Sequence, residues 1–203
     1  MTMLGAVVGD IVGSVFEGGA STSEDFDLFN VYGNITDDTV CTIAVSEWMQ
    51  DLSANDFKTD IVLDEYLRKW VKEYPGRGYG GRFYDWVHNL RINPPNSLAN
   101  GAVMRISSVG HLGKDLQTCM DLAQKACYPT HNHPEAIEAA QLIAGAIFLY
   151  RQQATAEDVF QWVSGNSTYE FFENIPDFLK FSDSYNQKAR STAIVALNIS
   201  FFG

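Results

Sequence analysis

Apolar residues recur every three to four positions along most of the chain, the period of an amphipathic helix. Val40, Ala44, Trp48 and Leu52 form one stripe behind Thr36-Asp37-Asp38-Thr39, and Val62, Tyr66, Trp70 and Tyr74 form the next. Leu116, Met120, Ala123 and Cys127 make a third. Pro134 suits the first turn of a helix, where its missing N–H has no partner to lose. The segment 135–152 is apolar on most sides between Ala139 and Tyr150, so it predicts the central helix. Thr155 with Asp158 three residues on is a loose capping box opening a helix over 157–163. Segments 171–181 and 189–202 are weaker helical candidates. Strand alternation is scarce, and no linker or repeat interrupts the pattern. The expectation is an all-α single domain over 1–203.

Two stretches depart from simple amphipathicity. Between residues 74 and 95 lie Pro75, Gly76, Gly78, Gly80, Gly81, Pro94 and Pro95, which predict a long loop. Loops of that length in a compact domain are usually functional. Its Arg77, Tyr79, Arg82, Phe83, Tyr84 and Trp86 suit ligand contact, and equally a surface loop stacked on itself. In the first helix, Gly5, Gly9 and Gly13 follow at intervals of four. Glycine inside a helix costs roughly 1 kcal/mol relative to alanine, so the series predicts a close helix–helix or helix–ligand approach. Asp10 and Glu17, two turns apart, share one face and would lie about 10 Å apart on an ideal helix.

Composition narrows the classes. The chain has 203 residues, 46% hydrophobic and 19% charged, enough for one domain with a sizeable core. A net charge of -11 opposes non-specific binding to nucleic acid. An anionic ligand can still be held locally by a metal ion or helix N-termini. Cys41, Cys119 and Cys127 are too few, and odd in number, for a disulfide framework. The first twenty residues lack a basic start and contain Asp10, unlike a secretory signal. The apolar run 139–150 is too short to span a bilayer. Together these predict a cytoplasmic chain with no membrane partner.

Three segments could carry chemistry. Adjacent carboxylates such as Asp37 and Asp38 coexist when solvated, at a helix N-terminus or around a cation, and Thr36 could complete a set of oxygen ligands for magnesium. The same residues also fit a plain N-cap. The segment 93–105, Asn-Pro-Pro-Asn-Ser-Leu-Ala-Asn-Gly-Ala-Val-Met-Arg, is a turn-rich lead into a helix whose backbone N–H groups could meet a diphosphate, and it equally fits an ordinary capped loop. In Thr130-His131-Asn132-His133-Pro134 the histidine spacing is poor for zinc but suits hydrogen bonds to a sugar or carboxylate, or a helix cap at His133.

The order of these segments is more specific than any one of them. Gly-Asp-x-x-Gly-x-x-x-Glu from Gly9, Thr-Asp-Asp-Thr from Thr36, and Gly-Arg-Gly-Tyr-Gly-Gly-Arg-Phe from Gly76 come first. Ser-x-x-Asn-Gly-Ala-x-Met-Arg from Ser97 and Thr-His-Asn-His-Pro from Thr130 follow. The series resembles the ADP-ribosylglycohydrolase family, which includes the dinitrogenase-reductase-activating glycohydrolases. The resemblance implies an orthogonal helical bundle around a two-magnesium site that cleaves ADP-ribose from a side chain or small leaving group. It implies Thr36, Asp37 and Asp38 as Mg2+ ligands and Glu17 as a mobile acidic ligand, with Glu17, Asp37 and Asp38 carrying the catalytic work. It places Ser97, Leu98, Ala99, Asn100 and Gly101 along the diphosphate and ribose, and His131 against the ligand. The partner implied is an ADP-ribosylated protein or a small ADP-ribosyl conjugate.

The sequence departs from the family at three places. Ala99 stands where the family has glycine, which predicts crowding if that position needs positive φ or a close approach to the ligand. Residues 182–187 match poorly a turn that bacterial members carry. The family's second metal half is an Asp-x-Asp-Thr segment near the C-terminus, and Asp158, Asp177 and Asp183 do not form it. A bundle lacking its C-terminal helices is the corresponding expectation, with activity lost through truncation and exposed apolar surface favouring a homo-oligomer. The alternative function is a non-catalytic ADP-ribose- or nucleotide-binding homologue, or an inactive remnant.

Overall fold

The computed structural model describes residues 3–17, 28–58, 61–90, 96–171 and 188–202. Among these residues there are nine α-helices and no strand. They are α1 (Leu4–Gly13), α2 (Asp37–Ala54), α3 (Leu63–Glu73), α4 (Gly81–Val87), α5 (Ser107–Leu112), α6 (Leu116–Cys127), α7 (Pro134–Arg151), α8 (Ala156–Asn166) and α9 (Ala189–Phe202). Short 3-10 turns occupy Ser14–Phe16 and Asn100–Ala102. No helix among them is long and apolar enough to cross a membrane.

Helix α7 is central, as its all-round apolar pattern predicts. It packs against α5, α6, α8 and α9. Ala136, Ala139, Ala140, Ala144 and Ala146 are buried along it, and these small side chains let neighbouring backbones come close. At Gly110 of α5 a Cβ would lie 2.5 Å from the Ala144 carbonyl oxygen, so this crossing needs glycine. Gln141, the polar residue in the apolar run, donates from Nε2 to the Met120 carbonyl on α6 at 3.1 Å, so its burial is compensated.

Helix α2 packs on α1, α3 and α5 and buries Val40, Ala44, Trp48 and Leu52 as their spacing requires. The α3 stripe is displaced by one position. Val62 is an extended residue ahead of the helix and is exposed, while Leu63, Leu67 and Val71 enter the core. Tyr66 and Trp70 lie on the flank because their polar atoms have partners there: the Tyr66 hydroxyl donates to Asp51 and Trp70 Nε1 to Glu47. The expected loop over 74–95 contains α4, whose Trp86 and Val87 are buried; the Arg68 guanidinium lies 4.1 Å from the Trp86 ring centroid. At α8, Thr155 and Asp158 make both reciprocal bonds of a capping box, and the helix runs to Asn166, beyond the expected end. The segment 171–181 lies outside the described residues except for Phe171.

The glycines of α1 overturn the helix–helix half of one expectation, while Gly13 lines the ligand cavity described below. A Cβ on Gly5, Gly9 or Gly13 would meet no atom of the described residues within 4 Å, so none of the three is needed for helix packing there. Of the whole helix only Asp10 is buried.

Candidate metal centre and ligand cavity

Asp10 organises the start of α2 from outside that helix. Its carboxylate accepts from the Thr36 backbone N–H at 2.9 Å, the Thr36 hydroxyl at 2.6 Å and the Thr39 N–H at 3.0 Å. The Thr36 hydroxyl also accepts from Asp38 N–H at 3.3 Å as the N-cap of α2. A carboxylate here satisfies donors that the first helical turn leaves free and opposes the positive end of the helix dipole. Thr36 therefore ties α1 to α2, its hydroxyl 2.6 Å from Asp10 and, more loosely, 3.5 Å from Asp38.

The Asp10–Glu17 spacing differs from the ideal-helix value. After Gly13 the chain tightens into the 3-10 turn Ser14–Phe16, and Glu17 becomes extended. One carboxylate oxygen each from Asp10, Glu17 and Asp38 then lie within 4.8 Å of one another. Asp37 stays outside this trio but lines the same cavity, its backbone N–H donating to the Arg77 carbonyl at 2.7 Å. Burial, reinforced by the neighbouring carboxylates, pushes Asp38 up to about 7 and Asp37 up to about 6. Glu17 is raised by burial and by the Asp10 charge. Neither ion pair among the described residues involves these acids. Three oxygen donors with uncompensated negative charge fit a small, hard divalent cation, which takes carboxylates and keeps several waters. Asp10 is the ligand candidate that motif reading leaves out. Its motif marks it, but its encounter with Asp38 depends on how α1 docks on α2.

The acids open onto a cavity of about 780 Å³. Its lining includes Glu17, Asp37 and Asp38 together with Ser97, Ala99, Asn100, Gly101 and His131. Leu98 is not part of the lining; its carbonyl accepts from the Ala189 N–H at the start of α9. Gly78, Gly80, Gly81, Arg82 and Phe83 line the cavity from the glycine-rich stretch, whereas Trp86 belongs to the core. Ala99 has φ -68°, ψ 165°, so its backbone does not need glycine, and its side chain stands in the cavity lining. The demanding position is Gly101, where a Cβ would fall 2.8 Å from His131 Cε1. Asn93, Pro94 and Pro95 lie outside the described residues, and the segment leads into the 3-10 turn Asn100–Ala102 before α5 begins.

The two histidines separate in role. His133 caps α7, its ring accepting from the Glu135 N–H at 3.3 Å. His131 is 6% exposed and packs at the cavity wall, with Nδ1 2.7 Å from the Thr130 hydroxyl. Beneath it lies Arg105, 1% exposed, donating to Thr130 Oγ1 at 2.8 Å and to the Ala126 carbonyl in the last turn of α6 at 2.9 Å. No curated protein matches the chain at a significant level. The profile of the ADP-ribosylglycohydrolase family matches residues 1–197, nearly the whole sequence, and with the all-helical architecture it shows that the chain belongs to the ADP-ribosylglycohydrolase family.

Proposed function

We propose that the chain is a Mg2+-dependent hydrolase of the bond between ADP-ribose and a protein side chain or small leaving group. The observation that carries this reading is convergence: Glu17, Asp37 and Asp38 share one cavity with Ser97, Ala99, Asn100, Gly101 and His131, across more than a hundred residues of sequence. Asp10, Glu17 and Asp38 are the residues placed to hold the cation. Bound Mg2+ supplies Lewis-acid polarisation and a water of lowered pKa. The protein's own contribution is positional and acid–base. Ser97, Asn100 and Gly101 form the wall that receives the diphosphate and ribose, and His131 donates to the ligand. Asp37 is held near 6 and outside the cation trio, so it can take a proton from an attacking water at ordinary pH. An acidic surround repels a diphosphate unless a cation is bound, so metal and substrate binding are coupled.

The test is release of ADP-ribose from ADP-ribosyl-arginine in the presence of Mg2+. The wild type turns over, Asp37→Ala falls by about 100-fold or more, the usual scale for losing a positioned acid–base group, and chelation abolishes the reaction. A second reading, ADP-ribose binding without turnover, is favoured by the acidic set among the described residues, which forms one trio around one cation position. Absence of release with ADP-ribose still raising Tm would select it.

A further inference from the structure

We propose that Arg105 and Thr130 are positioning residues that fix His131 as the neutral Nε2–H tautomer, giving the cavity wall a permanent hydrogen-bond donor. The tautomer follows from the protons available along one chain of contacts. Arginine can only donate, so the 2.8 Å contact makes Thr130 Oγ1 an acceptor from Arg105. Thr130 is 1% exposed, and His131 Nδ1 at 2.7 Å is the one acceptor for its hydroxyl hydrogen among the described residues. The reverse arrangement would aim two donors at one hydroxyl oxygen and leave a buried hydrogen unpaired, which costs free energy. Nδ1 is therefore unprotonated and Nε2 carries the hydrogen.

Nε2 lies on the ring edge facing Gly101, 2.9 Å from where a Cβ would stand, and has no partner among the described residues. The absence of a Cβ at 101 is what lets this edge reach the cavity wall. The cavity also holds Glu17, Asp37, Asp38 and Arg82, and the charge that acts on His131 is that of Arg105. Burial and that charge push His131 down to about 3, so the ring is neutral around neutral pH. Arg105 itself forms no ion pair among the described residues. A buried guanidinium without a counter-charge is expensive to maintain, and its contacts with the C-terminal turn of α6 and with Cys41 leave the Thr130 contact to be accounted for. The geometry assigns the Thr130 contact to holding the imidazole. An Nε2–H donor suits a phosphate oxygen or a ribose hydroxyl, so the ligand half of the inference rests on the ADP-ribosyl reading and the tautomer half does not.

Long-range 1H–15N correlation on histidine side chains of the intact chain reads the tautomer directly, with His131 assigned by its loss in His131→Asn. The expected spectrum shows Nδ1 bare and Nε2 protonated, unchanged from pH 5 to 8. In Thr130→Val the fixed tautomer is lost and the affinity for ADP-ribose falls about tenfold, while Thr130→Ser restores both. A protonated Nδ1 in the wild type, or Thr130→Val with the wild-type spectrum, overturns the proposal. The wild-type spectrum decides even if Thr130→Val does not fold. Wild type showing the expected tautomer without affinity for ADP-ribose removes the ADP-ribosyl reading alone.

Discussion

At the scale of single residues, the acids at the head of α2 set a pH dependence whose sign is fixed by their surroundings. Asp38, held near 7, and Asp37, held near 6, bind their protons more tightly in the folded chain than when unfolded, where 3.8 applies. Their contribution to stability is complete below about pH 4 and is lost as pH rises through 6 and 7. His131 acts in the opposite sense. Held near 3 against an ordinary 6.5, it contributes fully above pH 6.5 and is lost as pH falls toward 3. Comparing variants separates the two. In chelator, Asp38→Asn should gain Tm over the wild type at pH 8 and show little difference at pH 4. Adding Mg2+ at pH 8 should raise the wild-type Tm and not that of the variant. Equal pH profiles for the two proteins would remove Asp38 from the raised set.

At the scale of elements, glycines that look alike in the sequence divide in the structure. Gly110 faces the α7 backbone, where a Cβ would lie 2.5 Å from the Ala144 oxygen and 2.7 Å from Ile147 Cβ. Gly9 sits in α1 with nothing of the described residues within 4 Å. Gly110→Ala should destabilise by about 1–3 kcal/mol through overpacking, and Gly9→Ala should stabilise by up to about 1 kcal/mol through helix propensity. Urea unfolding measures both, and a destabilised Gly9→Ala would mean that something packs on that face of α1. The same contrast shows where sequence reading succeeds. Periodicity finds α2, α6 and α7 because burial there follows local spacing. It misplaces the α3 stripe because aromatic side chains with polar tips sit at the core boundary, and periodicity alone does not distinguish them from Leu67 and Val71. It passes over α4 because Gly80 and Gly81 read as breakers, while Trp86 and Val87 are held by contacts with distant residues. Motif order brings Glu17, Asp37, Asp38 and His131 to notice. That Asp10 rather than Asp37 joins the trio depends on a 3-10 turn and a helix docking that no local spacing encodes.

At the scale of the whole molecule, the acidic centre is built at a weakly fastened joint. Helix α1 buries only Asp10, and its described hydrogen bonds to the α2 head are those of Asp10 to Thr36 and Thr39. Helix α7, by contrast, is enclosed by four others. Segments with few buried apolar contacts open at free energies well below that of global unfolding. A cation shared by Asp10, Glu17 and Asp38 adds a fastening across the joint and acts on the closed state alone. Linkage then gives about 2.7 kcal/mol of extra protection at a metal concentration of 100 Kd, close to 100-fold in exchange rate. Amide hydrogen exchange of residues 4–13 should therefore be fast in chelator and slow by up to that factor with Mg2+, while the amides of α7 exchange at global rates in both. Asp38→Asn should remove the effect on α1 and leave α7 unchanged. If Mg2+ instead slows α1 and α7 by one common factor, the joint opens only when the whole chain unfolds, and α1 is part of the core rather than the hinge of its metal centre.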